Sequence, residues 1–374
     1  MHVAIDAHMI GERETGNERY TLNLITKLAQ VDTENQYSLL VTEPAYLKSA
    51  LGTLPKNFAC LPVWPATNLL RVAWAMPRTC HRIGAAVLHI SYTAPPICPC
   101  ATVVTVHDIA YEFFPEFFSL RDRLLLSHTV PFSCRRASRI IAVSEQTKQD
   151  LIQRYGLSSE KIRVVYEAAE ERFSPEISTE DMTRVRRKYA DGQHYILALG
   201  NIQPRKNLDR LVDAFATLVA DGVIGNDLSL VIAGQSQWHG SDIYQHVERK
   251  GLAKHVHFPG YMPDEDLPAL YRGAEVFVFP SLYEGFGLPP LEAMACGTPV
   301  ICSNASSLPE VVGGAAILFD PTDTDALAQA LHHVLVDEPR RRELALAGLE
   351  RASLFSWEKA ARETVEVYAE AAQT

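Results

Sequence analysis

Several things are scarce in this sequence, and each shortage removes a class of function. No window reaches the roughly 18 uninterrupted apolar residues that a membrane-spanning helix needs. The opening residues, MHVAIDAHMIG, set Asp6 inside a strand and lack the apolar core of a secretory signal. The expectation is an intracellular protein that crosses no membrane and is still free to lie on one. Positive charge is also short. A formal net charge of −10 argues against nucleic acid as the main partner, because phosphate binding needs a basic surface. The seven cysteines (Cys60, Cys80, Cys98, Cys100, Cys134, Cys296 and Cys302) form no paired C-x-x-C spacing. Scattered thiols in odd number suit a reducing cytoplasm, not a disulfide scaffold or a zinc site.

What is present is an ordinary globular balance, 47% hydrophobic and 21% charged over 374 residues, too long for one core. In the first half, strands at Tyr37–Thr42, Phe58–Val63, Ala86–Ser91, Thr102–His107 and Arg139–Ser144 alternate with helical segments. The first strand is His2–Ala7, the first helix Asn17–Gln30, and Lys161–Ala168 is the last strand of this half. Ser144 is placed to cap the helix Glu145–Tyr155. The run EAAEERFSPE, acidic and poor in apolar residues, reads as a linker and divides the chain at about residue 170. A second alternation follows, with a helix at Thr179–Tyr189 and strands at Tyr195–Leu199, Leu228–Gly234, Val256–Gly260, Val276–Pro280, Pro299–Cys302 and Ala315–Asp320. Strand and helix in alternation imply an α/β fold, a parallel sheet covered on both faces.

The chemistry concentrates in loops that follow strands. Glu275–Asn304, EVFVFPSLYEGFGLPPLEAMACGTPVICSN, passes from a buried strand into a loop with Gly285 and Gly287. It carries two carboxylates, Glu284 and Glu292, eight positions apart, and a helix at Leu288–Ala295. Glycines let backbone N–H groups approach a phosphate, and a helix N-terminus favours an anion. The loop after Leu199, GNIQPRKN, holds Arg205 and Lys206, with Asn207 expected to cap the helix Leu208–Val219. A guanidinium fork beside an ammonium suits a diphosphate. In the first half His107 and Asp108 end a strand, where ligands of open α/β sheets bind. The loop HMIGERETGN holds Gly11 and Gly16 and ends on Asn17, a good N-cap. Taken singly, each has a plain reading: a turn with solvated glutamates, a solvated basic pair, a histidine closing a strand, an ordinary βα loop.

Taken together they resemble one family. Glu284, Phe286, Gly287, the Pro-Leu-Glu-Ala run and Glu292 closely resemble the E-x7-E motif of the retaining glycosyltransferases of family 4. The resemblance covers nearly the whole chain and is strongest from Gly200 to Asp320. It implies two Rossmann-like domains facing across a cleft, the GT-B type: an acceptor domain at 1–170 and a nucleotide-sugar domain at 171–355. Residues 356–374, with a helix at Trp357–Ala371, would cross back onto the first domain. By the same resemblance Glu284 faces the donor sugar, Glu292 holds the ribose, and Arg205 and Lys206 hold the pyrophosphate. His107 contacts the donor hexose. Gly16 and Asn17 reach for the donor phosphates, although Asn17 stands where a second glycine is common. Gly234 lets the base lie close, Tyr261 and Met262 wrap it, and Asn201, Ser281, Gly285, Phe286, Gly287 and Leu288 complete the donor loops.

The resemblance makes the partners a nucleoside-diphosphate sugar and a saccharide or lipid-linked saccharide. No cofactor is expected beyond the sugar nucleotide, and no metal, since no D-x-D pair is placed for Mg²⁺. HDIAYEFFPEFF resembles bacterial mannosyltransferases of polysaccharide and lipopolysaccharide assembly, which favours GDP-mannose, with a UDP-hexose as the alternative. No separate carboxylate offers itself for a covalent intermediate, so front-face displacement is the expected route to retention. A nucleotide-sugar epimerase on the same architecture is the rival. A sugar-binding protein would need export and has no use for Arg205 and Lys206. The segment Tyr111–Ser138 crowds Phe113, Phe114, Phe117, Phe118, Leu124, Leu125 and Leu126 beside Arg121, Arg123, Arg135, Arg136 and nearby Arg139. Two readings stand open for it: a face for the inner side of the cytoplasmic membrane, or a buried helix with a solvated basic end.

Overall fold

The computed structural model describes residues 1–11, 15–223, 225, 227–235 and 243–374. These residues form two units. Unit 1 is Met1–Glu167 together with Ser356–Thr374, and unit 2 is Ala168–Phe355. Both are parallel sheets covered by helices. Unit 1 carries β1 (His2–Asp6), β2 (Gln36–Val41), β3 (Phe58–Pro62), β4 (Val87–Ser91), β5 (Ala101–Val106), β6 (Arg139–Ala142) and β7 (Ile162–Val164). Their order across the sheet is β3-β2-β1-β4-β5-β6-β7. Unit 2 carries β8 (His194–Leu199), β9 (Leu228–Ala233), β10 (Val256–Gly260), β11 (Val276–Phe279), β12 (Val300–Ser303) and β13 (Ile317–Phe319), in the order β10-β9-β8-β11-β12-β13.

Short apolar runs explain these strands. Val103, Val104 and Val106 are fully buried, as are Val276, Phe277 and Val278, which is what a strand covered on both faces requires. Each sheet starts at its centre, grows to one edge, then returns to the other side of its first strand. The order therefore reverses between β1 and β4 in unit 1, and between β8 and β11 in unit 2. Crevices outside the carboxyl ends of strands at such reversals are where open α/β sheets bind ligands.

Most element ends fall within two residues of the sequence reading, and the departures have local causes. The first helix is Thr15–Val31, so Asn17 lies in its first turn instead of capping it, its carbonyl accepting from Thr21 Oγ1 at 2.8 Å. Residues 12–14 of the expected phosphate loop lie outside the described residues. β7 starts one residue late, after a 3₁₀ turn at Ser159–Lys161, and ends at Val164, four residues before the expected Ala168. A short helix, Leu267–Arg272, follows β10. The Asp266 carboxylate before it is taken by Tyr189, Arg184 and Lys188. Ser144 does cap its helix, accepting from the Thr147 N–H at 3.0 Å.

The helix Trp357–Ala372 packs on the first helix and on the sheet of unit 1, and a buried polar chain fixes it there. Tyr368 Oη lies 2.6 Å from His89 Nδ1, and His89 Nε2 lies 2.7 Å from Thr105 Oγ1. Thr105 Oγ1 in turn lies 3.1 Å from Tyr20 Oη. All four side chains are buried, so each hydrogen bond replaces one that water would have made. Burial, with the neighbouring His107 charge adding to it, pushes His89 down from 6.5 to about 3 and keeps it neutral. The unfolded chain therefore takes up this proton first, and the site costs stability as pH falls from 6.5 towards 3.

Tyr368→Phe removes one link while keeping the ring. It should lower the unfolding free energy by about 1–3 kcal/mol, the cost of stranding a buried polar group. Combined with His89→Ala the loss should be less than additive. Urea denaturation of the four proteins measures this, and strict additivity would show that the two side chains are not coupled.

Candidate active site

The reversal in unit 2 sets two loops side by side. The loop after β8 runs through Gly200 and Asn201 to a 3₁₀ turn at Pro204–Lys206, and the loop after β11 runs through Ser281 to Gly287. They are tied together by backbone, Leu282 N–H donating to the Arg205 carbonyl at 2.9 Å. Asn207 is not the cap expected of it. Its backbone is left-handed at φ +56°, and its side chain makes no cap bond. Instead its amide donates to the carbonyls of Pro280 at 3.1 Å and Pro321 at 2.8 Å, pinning the basic loop to the ends of β11 and β13.

Three charges meet at this seam. Arg205 Nη1 lies 3.0 Å from Glu284 Oε2, and Lys206 Nζ lies 2.6 Å from Glu284 Oε1. Ser281 Oγ donates to the same Oε1 at 2.5 Å, and Arg205 also donates to the Tyr283 carbonyl. All three charged side chains are nearly buried, 12–13% exposed. Burial pushes the Glu284 carboxyl up, but the two cations and the hydrogen bonds outweigh it and hold it down at about 2. Glu284 is therefore ionised, and the cluster of two cations and one anion carries net +1.

Glycine and serine shape the surrounding loops. Gly234 follows β9 at φ +144°, and a Cβ there would stand 2.0 Å from the Gly200 carbonyl oxygen. Only glycine fits such an approach. Gly234 N–H donates to the Gly260 carbonyl at 2.8 Å, which sets the start of the Tyr261-Met262 turn beside it. Tyr261 is half exposed and Met262 buried. Ser306, left-handed at φ +53°, donates to the Glu284 carbonyl at 2.5 Å. Ser307 Oγ lies 2.9 Å from that carbonyl and 2.7 Å from that of Phe286. On sequence, the run from Ser306 to Gly314 resembles a further loop of the family, without a defined role for either serine. A hydroxyl pair in a loop after β12 gives no sign of reaching back across more than twenty residues.

The structure thus brings Arg205, Lys206, Ser281 and Glu284 into contact, with Asn201, Gly234, Tyr261, Met262, Gly285, Phe286 and Gly287 on the same sheet's loops and Leu288 opening the helix that follows. Glu292 stands apart from this contact group. It is buried at 2% exposure inside the helix Leu288–Ala295, and its Oε2 accepts from the Tyr271 hydroxyl at 2.7 Å. Gly16, Asn17 and His107 belong to unit 1. There His107 follows β5 and packs edge-on against Tyr20, in the helix whose first turn holds Gly16 and Asn17. Asp108 is engaged locally, accepting from the Ala110 N–H at 2.9 Å. Of the described residues, no group of three His, Cys, Asp or Glu is arranged to hold a metal.

The ion cluster has a pH signature. A carboxyl held near 2 when folded and near 4.5 when unfolded adds stability above pH 4.5 that is lost as pH falls towards 2. The stability difference between wild type and Glu284→Gln should stay flat above about pH 5.5 and shrink steadily below 4.5. Denaturant unfolding across that range measures it. A difference that does not change with pH would mean the carboxylate is not held by the cations.

Family models place these observations. The model for group 1 glycosyl transferases matches residues 181–351, and that for Glycosyltransferase Family 4 matches residues 15–170. Among curated relatives, the O-antigen chain mannosyltransferase B of Escherichia coli is 36% identical over 267 residues, 71% of this chain and 69% of that one. The serotype-specific mannosyltransferase WbdA of the same species is 36% identical over 234 residues, but this chain spans only 28% of its length. Of solved structures, Anabaena Alr3699/HepE in complex with UDP and glucose aligns over 99% of both chains, with a TM-score of 0.77 and 19% identity, a likeness of fold. None of these relatives supports the epimerase alternative. On sequence in both of its halves, the chain belongs to glycosyltransferase family 4.

Proposed function

We propose that the protein transfers mannose from GDP-mannose, with retention and without a metal, to a lipid-linked saccharide in the synthesis of a bacterial surface polysaccharide. The observation that carries this reading is the Arg205–Glu284–Lys206 cluster at the reversal of the unit 2 sheet. A nucleoside-diphosphate sugar already holds its leaving group. The enzyme has to stabilise negative charge as the diphosphate departs and positive charge on the sugar ring. A nearly buried cluster of net +1 does the first, with Arg205 as a fork and Lys206 as a point charge. The ionised Glu284 does the second and can accept hydrogen bonds from sugar hydroxyls.

The same geometry argues against Glu284 as a nucleophile. Both its oxygens are occupied by cations, and a carboxyl held near 2 is a poor attacking group. Front-face displacement, with the leaving phosphate drawing off the acceptor proton, fits what surrounds it. Mannose as the sugar, and a polysaccharide as the product, are supported by the relative named as an O-antigen mannosyltransferase.

Unit 1 supports an acceptor held at a membrane surface, the inner face of the cytoplasmic membrane. Tyr111 is buried there, and Phe113, Phe118 and Leu126 pack against the core, so half of the aromatic segment is structural. The helix Leu120–Arg136 nevertheless leaves Leu120, Leu124, Leu125 and Phe132 exposed, with Arg121, Arg135 and Arg136 also in solvent. Arg139 is not part of this face, being paired with Glu370 at 3.0 Å. No helix among the described residues is long and apolar enough to span a bilayer. Apolar side chains beside arginines suit peripheral contact with anionic lipid, each basic residue contributing about 1 kcal/mol.

Transfer assays with GDP-mannose and UDP-glucose, run in EDTA, test the chemistry. Wild type should use GDP-mannose, give the retained anomer by NMR and survive chelation. Glu284→Ala and Lys206→Ala should each lose at least about a hundredfold. Loss of activity in EDTA with recovery in Mg²⁺ would refute metal independence, and near-normal turnover in either variant would refute the site.

Sedimentation with vesicles of anionic lipid tests the surface. Wild type should bind at low salt and be released at high salt, and Arg135→Glu/Arg136→Glu should bind less. Equal, salt-insensitive absence of binding in both would make a soluble saccharide the acceptor.

A further inference from the structure

His107 is held from three sides. Tyr20 meets its ring edge-on, centroids 4.6 Å apart and planes at 82°, and Tyr92 lies tilted at 5.7 Å. The third hold is polar: Nδ1 lies 3.1 Å from Glu167 Oε1, with the two side chains 11% and 7% exposed. Tyr92 keeps a left-handed backbone, φ +60°, at the end of β4. Such conformations cost energy and persist where the surroundings enforce them.

The opposite ring nitrogen is left over. His107 Nε2 is buried and, among the described residues, meets no hydrogen-bond partner. Tyr20 does not serve it, because its hydroxyl is bonded to Thr105 Oγ1. Buried polar atoms in folded proteins are nearly always paired, so an orphan on a histidine that the family resemblance assigns to the donor hexose asks for a ligand. The chemistry of the pairing settles what kind. An ionised carboxylate can only accept, so the proton of the Glu167 contact belongs to Nδ1. In the neutral ring this leaves Nε2 bare, an acceptor with no N–H to give.

We infer that Glu167 is a positioning residue of the transfer reaction: it fixes His107 as the Nδ1–H tautomer, so that Nε2 accepts a hydrogen bond from a hydroxyl of the sugar substrate. This rests on the transferase reading above. A site built to receive a hydroxyl proton rejects an analogue that cannot donate one, because its own acceptor is then stranded. Deoxygenation or fluorination at one sugar position should therefore be punished alike. Carboxylates that orient a histidine from behind are typically worth 10- to 100-fold in metal sites, and a loss of about that size is expected here.

The test has two arms. In the first, ¹⁵N-histidine spectra of substrate-free protein are recorded at about pH 9, above the ordinary histidine range. The signal missing in His107→Gln identifies the residue. Wild type and Glu167→Gln, whose amide oxygen still accepts, should show a protonated Nδ1 and a bare Nε2. Glu167→Ala should show a mixture of tautomers. In the second arm kcat/KM is measured for monodeoxy and monofluoro sugar donors. At one position both replacements should cost wild type and Glu167→Gln similarly, and the penalty should vanish in His107→Gln. A protonated Nε2 in wild type, or a Glu167→Ala spectrum and donor profile matching wild type, would overturn the inference. Because the first arm needs no substrate, failure to transfer any sugar would overturn the transferase reading separately.

Discussion

Two cations sharing one buried carboxylate is the constraint on which the unit 2 site depends. Burying a single ionised carboxyl costs several kcal/mol, whereas one opposite charge about 4 Å away returns about 4 kcal/mol at an effective dielectric of about 20. Glu284 has two such partners and a hydroxyl donor as well, so ionisation wins and its carboxyl is pulled down despite its burial. The surplus positive charge is then held in place before any anion arrives. Little reorganisation is left for the moment when a diphosphate begins to leave, which is the condition under which fixed charges do most for a reaction.

The rest of unit 2 holds that arrangement still. The sheet order puts β8 beside β11, and without this adjacency Arg205 and Glu284, far apart in sequence, would have no reason to meet. Asn207 ties the basic loop to two strand ends, while Ser306 and Ser307 hold the acidic loop by its carbonyls. Gly234 lets two loops touch backbone to backbone. Unit 1 buries an ion pair of its own, Arg71 Nη1 lying 2.8 Å from Asp6 Oδ1, and adds a chain of neutral groups from Tyr368 to Tyr20, with the His107–Glu167 pair beside it.

Much of this was legible in the residues. The strand and helix pattern could be read because apolar runs and turn residues are local signals, and Leu288–Ala295 and Val256–Gly260 end where composition says they should. The basic and acidic motifs could be found because Arg205-Lys206 and Glu284 sit in short runs of distinctive residues. What could not be read is pairing at a distance. Nothing in EAAEERFSPE marks Glu167 as buried against a histidine sixty positions earlier, and composition made it part of a solvated linker. Asn207 looked like a cap because caps are local, and its true partners are backbone carbonyls on other strands. The Phe and Arg crowd near Leu120–Arg136 divided between core and solvent, a choice that composition alone does not make.

The attachment of Trp357–Ala372 to the first sheet also sets an order of events during synthesis. Unit 2 is a single continuous segment, Ala168–Phe355, and has all its strands as soon as Phe355 has emerged. Unit 1 begins first yet cannot finish until residues 357–372 have followed unit 2, since His89 finds Tyr368 only then. That closing contact spans 279 positions, and contacts of that length form slowly. A ribosome-bound chain would therefore present an older, unfinished unit beside a younger, completed one. The patch of the first helix that Trp357–Ala372 covers stays open in that interval, where a chaperone or another nascent chain can reach it.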